Sequence, residues 1–234
     1  MSSKPNAGLA VVTGATGGIG LAIVQHLLNA GWEVAGLDIG PAVAQHAAYR
    51  HITVDLCDEP ATRQALEPLK DARALVHAAG VLRVGPLAQM NPADGERMWK
   101  LHVDVAVRLS QLLTPEMAAR GDGRVVLIGS RVAQGMPGRS QYAASKAALV
   151  ALARSWAAEL APDGVTVNVV SPAATQTAML QDPARVASAP RMPPIGRLIQ
   201  PGEIAALVHF LLSQQAAAIT GQDIAICGGA SLPR

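Results

Sequence analysis

The stretch LAVVTGATGGIGLAIVQHLL, residues 9–28, constrains this chain more than any other. A short valine-rich run reads as a strand and stops at a glycine-dense turn. Beyond the turn, apolar residues recur at helical spacing over residues 19–30, and Gly31 follows where glycine commonly ends a helix. Gly14, Gly18 and Gly20 have the spacing G-x-x-x-G-x-G rather than G-x-G-x-x-G. A glycine cluster alone is often only a turn. Placed between a first strand and a first helix, it lets a pyrophosphate approach the backbone while the helix start offers its N–H groups.

The same alternation continues along the chain. Further strands are expected at 33–37, 52–54, 74–76, 124–128, 165–170 and 223–227, and helices at 92–120, 141–160 and 202–212. Pro115 is expected to break the first of these helices. Strand–helix alternation implies right-handed crossovers and a parallel sheet covered on both faces. The fold class is therefore α/β, a Rossmann-type doubly wound parallel sheet in a single domain over residues 1–234. The chain is 50% hydrophobic and 15% charged, ample for one core. Residues 177–201, rich in Pro, Ala and Arg, form the one long irregular insertion. It is expected at the C-terminal end of the sheet as a substrate loop or lid.

Several function classes are disfavoured. The formal net charge is +2 with arginines spread along the chain, so neither nucleic acid nor an anionic membrane is an expected partner. Cys57 and Cys227 form no CxxC and join no histidine cluster, so no metal site is expected. No apolar run reaches the ~18 residues that span a bilayer. The short N-terminal apolar run does not resemble a signal peptide, and a cytoplasmic location is expected.

Two features point to chemistry. Asp38 ends the second strand, 18 residues after Gly20. A carboxylate there can accept hydrogen bonds from both ribose hydroxyls of NAD and would repel a 2′-phosphate. No Arg or Lys follows it at Ile39 or Gly40, so NAD is favoured over NADP; the bland alternative is a solvated strand-end aspartate. Tyr142, one of two tyrosines, lies four residues before Lys146 on a helical stretch, so the two share a face. An ammonium beside a phenol favours the phenolate and lowers its pKa from about 10, which suits proton exchange with an alcohol. The alternatives are an ordinary half-buried Tyr and a surface Lys.

Taken together, these motifs resemble the short-chain dehydrogenase/reductase family. TGATGGIG is similar to its TGxxxGxG turn, HAAG (residues 77–80) to its NAAG, and YAASK (residues 142–146) to its YxxxK. VNVVSPAATQT (residues 167–177) is similar to the stretch that holds the nicotinamide end. A weaker likeness, in AAGVLRVG and NVVSPAATQTAM, is to dehydrogenases that oxidise dihydro-dihydroxybenzoate. The family resemblance implies cofactor contacts from Gly14, Thr16, Gly17, Gly18, Ile19 and Gly20 of the turn, and from Asp38. It implies others from Asp55 and Leu56 near the adenine, from Ala79 and Gly80, from Tyr142 and Lys146, and from Pro172, Thr175 and Thr177.

By the same resemblance Tyr142 is the acid/base, Lys146 also bonds the nicotinamide ribose, and Ser130 bonds the substrate oxygen. The family's fourth catalytic residue, an Asn, falls here on His102, either a proton shuttle or a satisfied helical histidine. His77 replaces the Asn before AAG and is expected to tie neighbouring strands. Ala173 replaces the usual Gly after Pro172. Arg83 is a candidate for a substrate carboxylate or is simply solvated; Gln134, Met136 and Met179 are candidates for the pocket rim. The expected function is NAD-dependent interconversion of a small-molecule secondary alcohol, cyclic ones included, and its ketone. A second reading is an NAD-binding regulator with little turnover. A sugar-nucleotide epimerase is disfavoured, since the chain ends 92 residues after Tyr142. Association into a homo-oligomer, a dimer or tetramer, through the two long helices is also implied.

Overall fold

Consecutive residues of the central strands alternate between two apolar layers. Val11, Leu75, Val125 and Leu127 pack into one; Ala10, Val12, Val76, Val126 and Ile128 pack into the other. A strand buried on both faces needs no polar alternation, which is why these segments read as continuous apolar runs. The computed structural model describes residues 7–181 and 191–232. Its strands are β1 (Leu9–Thr13), β2 (Glu33–Asp38), β3 (Tyr49–Thr53), β4 (Ala74–His77), β5 (Gly123–Ile128), β6 (Val165–Pro172) and β7 (Asp223–Ile226). They form one parallel sheet in the order β3-β2-β1-β4-β5-β6-β7. This is the doubly wound Rossmann-type arrangement, and its strand order reverses between β1 and β4, where such sheets open a ligand crevice.

The helices are α1 (Gly18–Asn29), α2 (Glu59–Leu66), α3 (Pro92–Trp99), α4 (Val105–Arg120), α5 (Ser140–Leu160) and α6 (Pro201–Leu212). Leu66, Leu109, Leu113, Leu149 and Ala153 bring α2, α4 and α5 onto one face of the sheet. Ile23, Leu27, Ile204, Val208 and Leu211 bring α1 and α6 onto the other. No helix among the described residues is long and apolar enough to cross a membrane.

Three local expectations change. Helix α2 has no counterpart among the helices read from the sequence. Its marks are the Asp58 cap, whose carboxylate accepts from the Ala61 N–H at 3.0 Å, and Pro60 in the first turn. The third strand begins at Tyr49 rather than at residue 52, because half-exposed Tyr49 and His51 with exposed Arg50 between them leave no apolar run to read. Pro115 lies inside α4 without breaking it. Pro115 and Gln111, whose carbonyl loses its usual donor, both face solvent, so water can satisfy that oxygen. The helical path is interrupted earlier instead, by a π turn over Lys100–Asp104 that carries His102 inward.

Candidate active site

The site is built on the C-terminal ends of β1, β4, β5 and β6. The Thr13 hydroxyl accepts hydrogen bonds from the Ala78 and Ala79 N–H groups at 3.1 and 3.2 Å. Its own proton must therefore go to His77 Nδ1, 2.9 Å away. His77 thus ties β1 to β4, as expected for that position. Gly14 follows with φ 65°, and a Cβ there would lie 2.8 Å from the Ala79 backbone, so only glycine fits the turn against the end of β4.

The turn has the features of a dinucleotide cradle. Gly17 and Gly18 are exposed, and no side chain caps the start of α1, leaving its first N–H groups available to an anion. Thr177 closes over this point: a Cβ on Gly18 would come within 2.6 Å of the Thr177 methyl. Ile19 is half-buried behind it and Gly20 is buried against Gly14. Asp38 stands at one side, accepting from the Thr16 N–H at 3.0 Å and the Gly40 N–H at 2.9 Å. Burial raises its pKa, but the bonds from Gly40 and Thr16 outweigh that and hold it below its ordinary value. A bare glycine surface, an uncapped helix start and an ionised carboxylate together fit a dinucleotide.

Asp55 is exposed, its carboxylate accepting from the Cys57 N–H at 2.8 Å. Leu56 points its side chain into the core, and its carbonyl is taken by Arg108 and Thr62, so it has no side chain to offer a cofactor. Pro172 is buried at the end of β6, and Thr175 is buried with its hydroxyl on the Ala173 carbonyl at 3.0 Å. Of the expected lid, residues 182–190 lie outside the described residues; its far end returns through a bridge between Ile199 and Thr175.

Around Tyr142 the geometry is tighter. Lys146 Nζ is 5.8 Å from the Tyr142 ring centroid and donates to the Ile128 carbonyl at 2.8 Å. That carbonyl lies two residues before Ser130, so α5 and β5 converge here. Ser130 is buried, and its hydroxyl oxygen accepts from the Val132 N–H at 3.2 Å, which leaves the hydroxyl proton to donate elsewhere.

His102 is fully buried and packs edge-on against the Tyr142 ring, 5.6 Å between centroids. Its Nε2 accepts from the Val81 N–H at 3.0 Å, so that nitrogen carries no proton. Ser145 donates to the Tyr142 carbonyl at 2.8 Å, so the 2.9 Å contact between Ser145 Oγ and His102 Nδ1 must use the histidine's proton. Both nitrogens are thus engaged in the neutral form, and a second proton would oppose the Val81 N–H. Burial first, then the Lys146 charge, holds its pKa well below 6.5. This geometry fits the satisfied-histidine alternative rather than the shuttle. Ser145, the middle of the chain, was not singled out in the sequence; its signal was a polar residue three after Tyr142 in an alanine run.

Gly80 lies beside both His102 and Lys146; a Cβ there would be 3.1 Å from His102 Nε2 and 3.6 Å from Lys146 Nζ. His77, His102 and Lys146 thus form a buried basic cluster. Burial, with Lys146 adding repulsion, lowers His77 to about 3. Its Nε2 meets no acceptor in hydrogen-bonding geometry, though the carbonyls of Leu101 and His102 are near enough to favour a proton there.

The candidate substrate contacts sit on loops at the same end of the sheet. Arg83 is half-buried, donating to the Leu82 carbonyl at 3.0 Å and lying 3.8 Å from Asp94. Gln134 is exposed on the turn after Ser130, Met136 is half-buried, and Met179 is exposed on the turn after Thr177.

Comparison with known proteins agrees with this architecture. The model of the enoyl-(acyl carrier protein) reductase family matches residues 14–231. Oxidoreductase UcpA of Escherichia coli is 32% identical over 255 residues, covering 96% of this chain and 94% of its own. The 3-oxoacyl-(acyl-carrier-protein) reductase FabG of Vibrio cholerae is 33% identical over 235 residues, covering 94% and 96%. Among solved structures, a short-chain dehydrogenase/reductase family protein superposes over 100% of both chains with a TM-score of 0.90 and 31% identity. The aldohexose dehydrogenase of Thermoplasma acidophilum covers 99% of this chain and 97% of its own, with a TM-score of 0.90 and 27% identity.

Burial lowers the Lys146 pKa from 10.5 to about 7. Between those values the unfolded chain binds a proton that the folded chain does not, so stability falls as pH drops through that window. In urea unfolding of the cofactor-free protein, wild type should gain stability from pH 7 to about pH 9.5 relative to Lys146→Met. A wild-type-to-variant difference that does not change with pH contradicts the assignment.

Proposed function

The chain belongs to the short-chain dehydrogenase/reductase family of nicotinamide-dependent oxidoreductases, and from that premise we propose that it interconverts a secondary alcohol and its ketone with NAD. The observation that carries the reading is the convergence of Tyr142 and buried Lys146 with the end of β5 bearing Ser130. A set of groups buried at the ligand end of the sheet suits catalysis better than regulation without turnover.

Bound nicotinamide would take up hydride from the alcohol carbon, or return it to the ketone. The residues of the chain handle the proton and the oxygen. In the oxidising direction the Tyr142 phenolate accepts the hydroxyl proton as the C–O bond gains double-bond character; in reduction it gives that proton back. Ser130, with its oxygen already accepting from Val132, donates its proton to the same substrate oxygen and stabilises charge there. Lys146, near its midpoint at neutral pH, favours the phenolate when charged, and a dinucleotide's negative phosphates favour that charged state. His102 acts as a strut. It braces the Tyr142 ring and, through Ser145, the Tyr142 carbonyl.

The cofactor would be held by Gly14, Thr16, Gly17, Gly18, Ile19 and Gly20, with Asp38 accepting from the adenosine ribose. Asp55, Ala79, Gly80, Pro172, Thr175 and Thr177 would line the rest of its path. NAD is favoured because a 2′-phosphate would meet the ionised Asp38 carboxylate. Arg83, Gln134, Met136 and Met179 would border a small alcohol or ketone. The chain would act as a homo-oligomer, supported by exposed Trp99 beside a cleft of about 580 Å³ between α3 and α5.

Three outcomes are expected. In an NAD+ reduction screen over cyclic and hydroxy-acid alcohols, Tyr142→Phe should lose at least ~10²-fold in kcat, the lower range of acid–base catalysis; full activity in that variant defeats the mechanism. His102→Asn should leave the pH midpoints of kcat unmoved while lowering its magnitude, whereas a shifted profile would restore the shuttle. Light scattering should return a multiple of the 24.1 kDa chain mass, and a monomeric mass would exclude the oligomer.

A further inference from the structure

The Asp38 carboxylate does not hold itself in place. One oxygen takes the Thr16 N–H and the other takes the Gly40 N–H. Gly40 is in turn gripped from the neighbouring strand: its carbonyl lies 2.9 Å from His51 Nε2. A carbonyl can only accept, so Nε2 carries the proton and, in the neutral ring, Nδ1 is bare. The Tyr49 hydroxyl, 3.2 Å from that Nδ1, is then the donor. Burial, with the Asp38 charge nearby, raises the Tyr49 pKa and keeps its hydroxyl protonated. Hydrogen bonds therefore run from Tyr49 to His51 to the Gly40 carbonyl, and across the same residue from its N–H to Asp38.

The packing beneath these bonds is specific. Gly36 in β2 is bare where Tyr49 crosses it. A methyl on Gly36 would overlap the Tyr49 hydroxyl and come within 2.8 Å of the Ala15 methyl in the glycine turn. Tyr49 and His51 alternate along β3, so both side chains lie on the same face of the sheet. Paired with β2, that strand thus reaches the Gly40 corner through His51, while Tyr49 and Ala15 of the glycine turn flank the same space beside Gly36.

We propose that Tyr49 and His51 are positioning residues for cofactor selection, setting the Asp38–Gly40 corner so that the carboxylate meets a ribose diol and rejects a 2′-phosphate. This rests on the reading of Asp38 given above. Neither residue touches the reacting atoms. Their loss should appear in the discrimination between cofactors and in the KM for NAD+, not in kcat at saturation.

The test is calorimetric titration of the full chain with NADH and with NADPH, alongside steady-state kinetics and thermal unfolding. His51→Ala should weaken NADH binding about tenfold while NADPH binding changes by about twofold or less, narrowing the preference. His51→Gln, which keeps an N–H at the same reach, should recover most of the loss. Tyr49→Phe, which frees the imidazole to take either tautomer, should fall between. Equal weakening toward both cofactors, or unchanged NADH binding in folded His51→Ala and Tyr49→Phe, overturns the proposal. Asp38→Ala separates the two levels. If it abolishes the preference while the His51 and Tyr49 variants keep it, only the positioning role fails. If it leaves the preference intact, the reading of Asp38 and the positioning role fail together.

Discussion

The Thr13 hydroxyl makes three hydrogen bonds on which the rest of the site depends. It joins β1 to β4 where the strand order reverses, by accepting from the Ala78 and Ala79 N–H groups and donating to His77. Because β4 is held there, Ala79 backs the glycine turn and Gly80 arrives between His102 and Lys146. The glycine turn and the surroundings of the Tyr142 phenol are therefore fixed to each other through one buried side chain. Parallel strands with helices on both faces supply the frame, but frames of this kind serve many chemistries. The particular spacing between cradle and phenol comes from this junction.

Behind the junction, protonation states follow from connectivity. Each buried histidine faces a donor that cannot reverse: the Val81 N–H for His102, and a hydroxyl already committed as a double acceptor for His77. Each is thereby neutral with a defined tautomer. Lys146 is the remaining basic group of the cluster, and burial alone brings its pKa down to about 7. The cluster thus directs any positive charge to the one member placed beside the phenol.

Much of this was legible in the sequence because it is local. The glycine turn, Asp38, Ser130 and the Tyr142–Lys146 pair are short motifs whose spacing fixes a face or a strand end. What was not legible depends on where distant segments meet. The role of His102 is set by Val81 and Ser145, which lie 21 residues before and 43 residues after it. Leu56 reads as a cofactor residue by position; its side chain completes the core, so only its backbone is left to serve that role. Pro115 carried a strong local signal for a break, and its exposure cancelled the cost. The short α2 and the polar start of β3 were missed because neither has enough apolar residues to show a period.

The π turn at Lys100–Asp104 has a further consequence. Each helical residue advances about 100° around the axis, and a π turn inserts one extra residue into that count. Helices α3 and α4 are therefore a single rod with two phases. Trp99 faces outward at the end of one, while three residues later His102 faces fully inward at the start of the other. In a surface loop the loss of one residue is easily absorbed. Here the wide turn absorbs one residue too many, so α3 and α4 each keep their own inner face toward the core although their apolar stripes are out of step in the sequence.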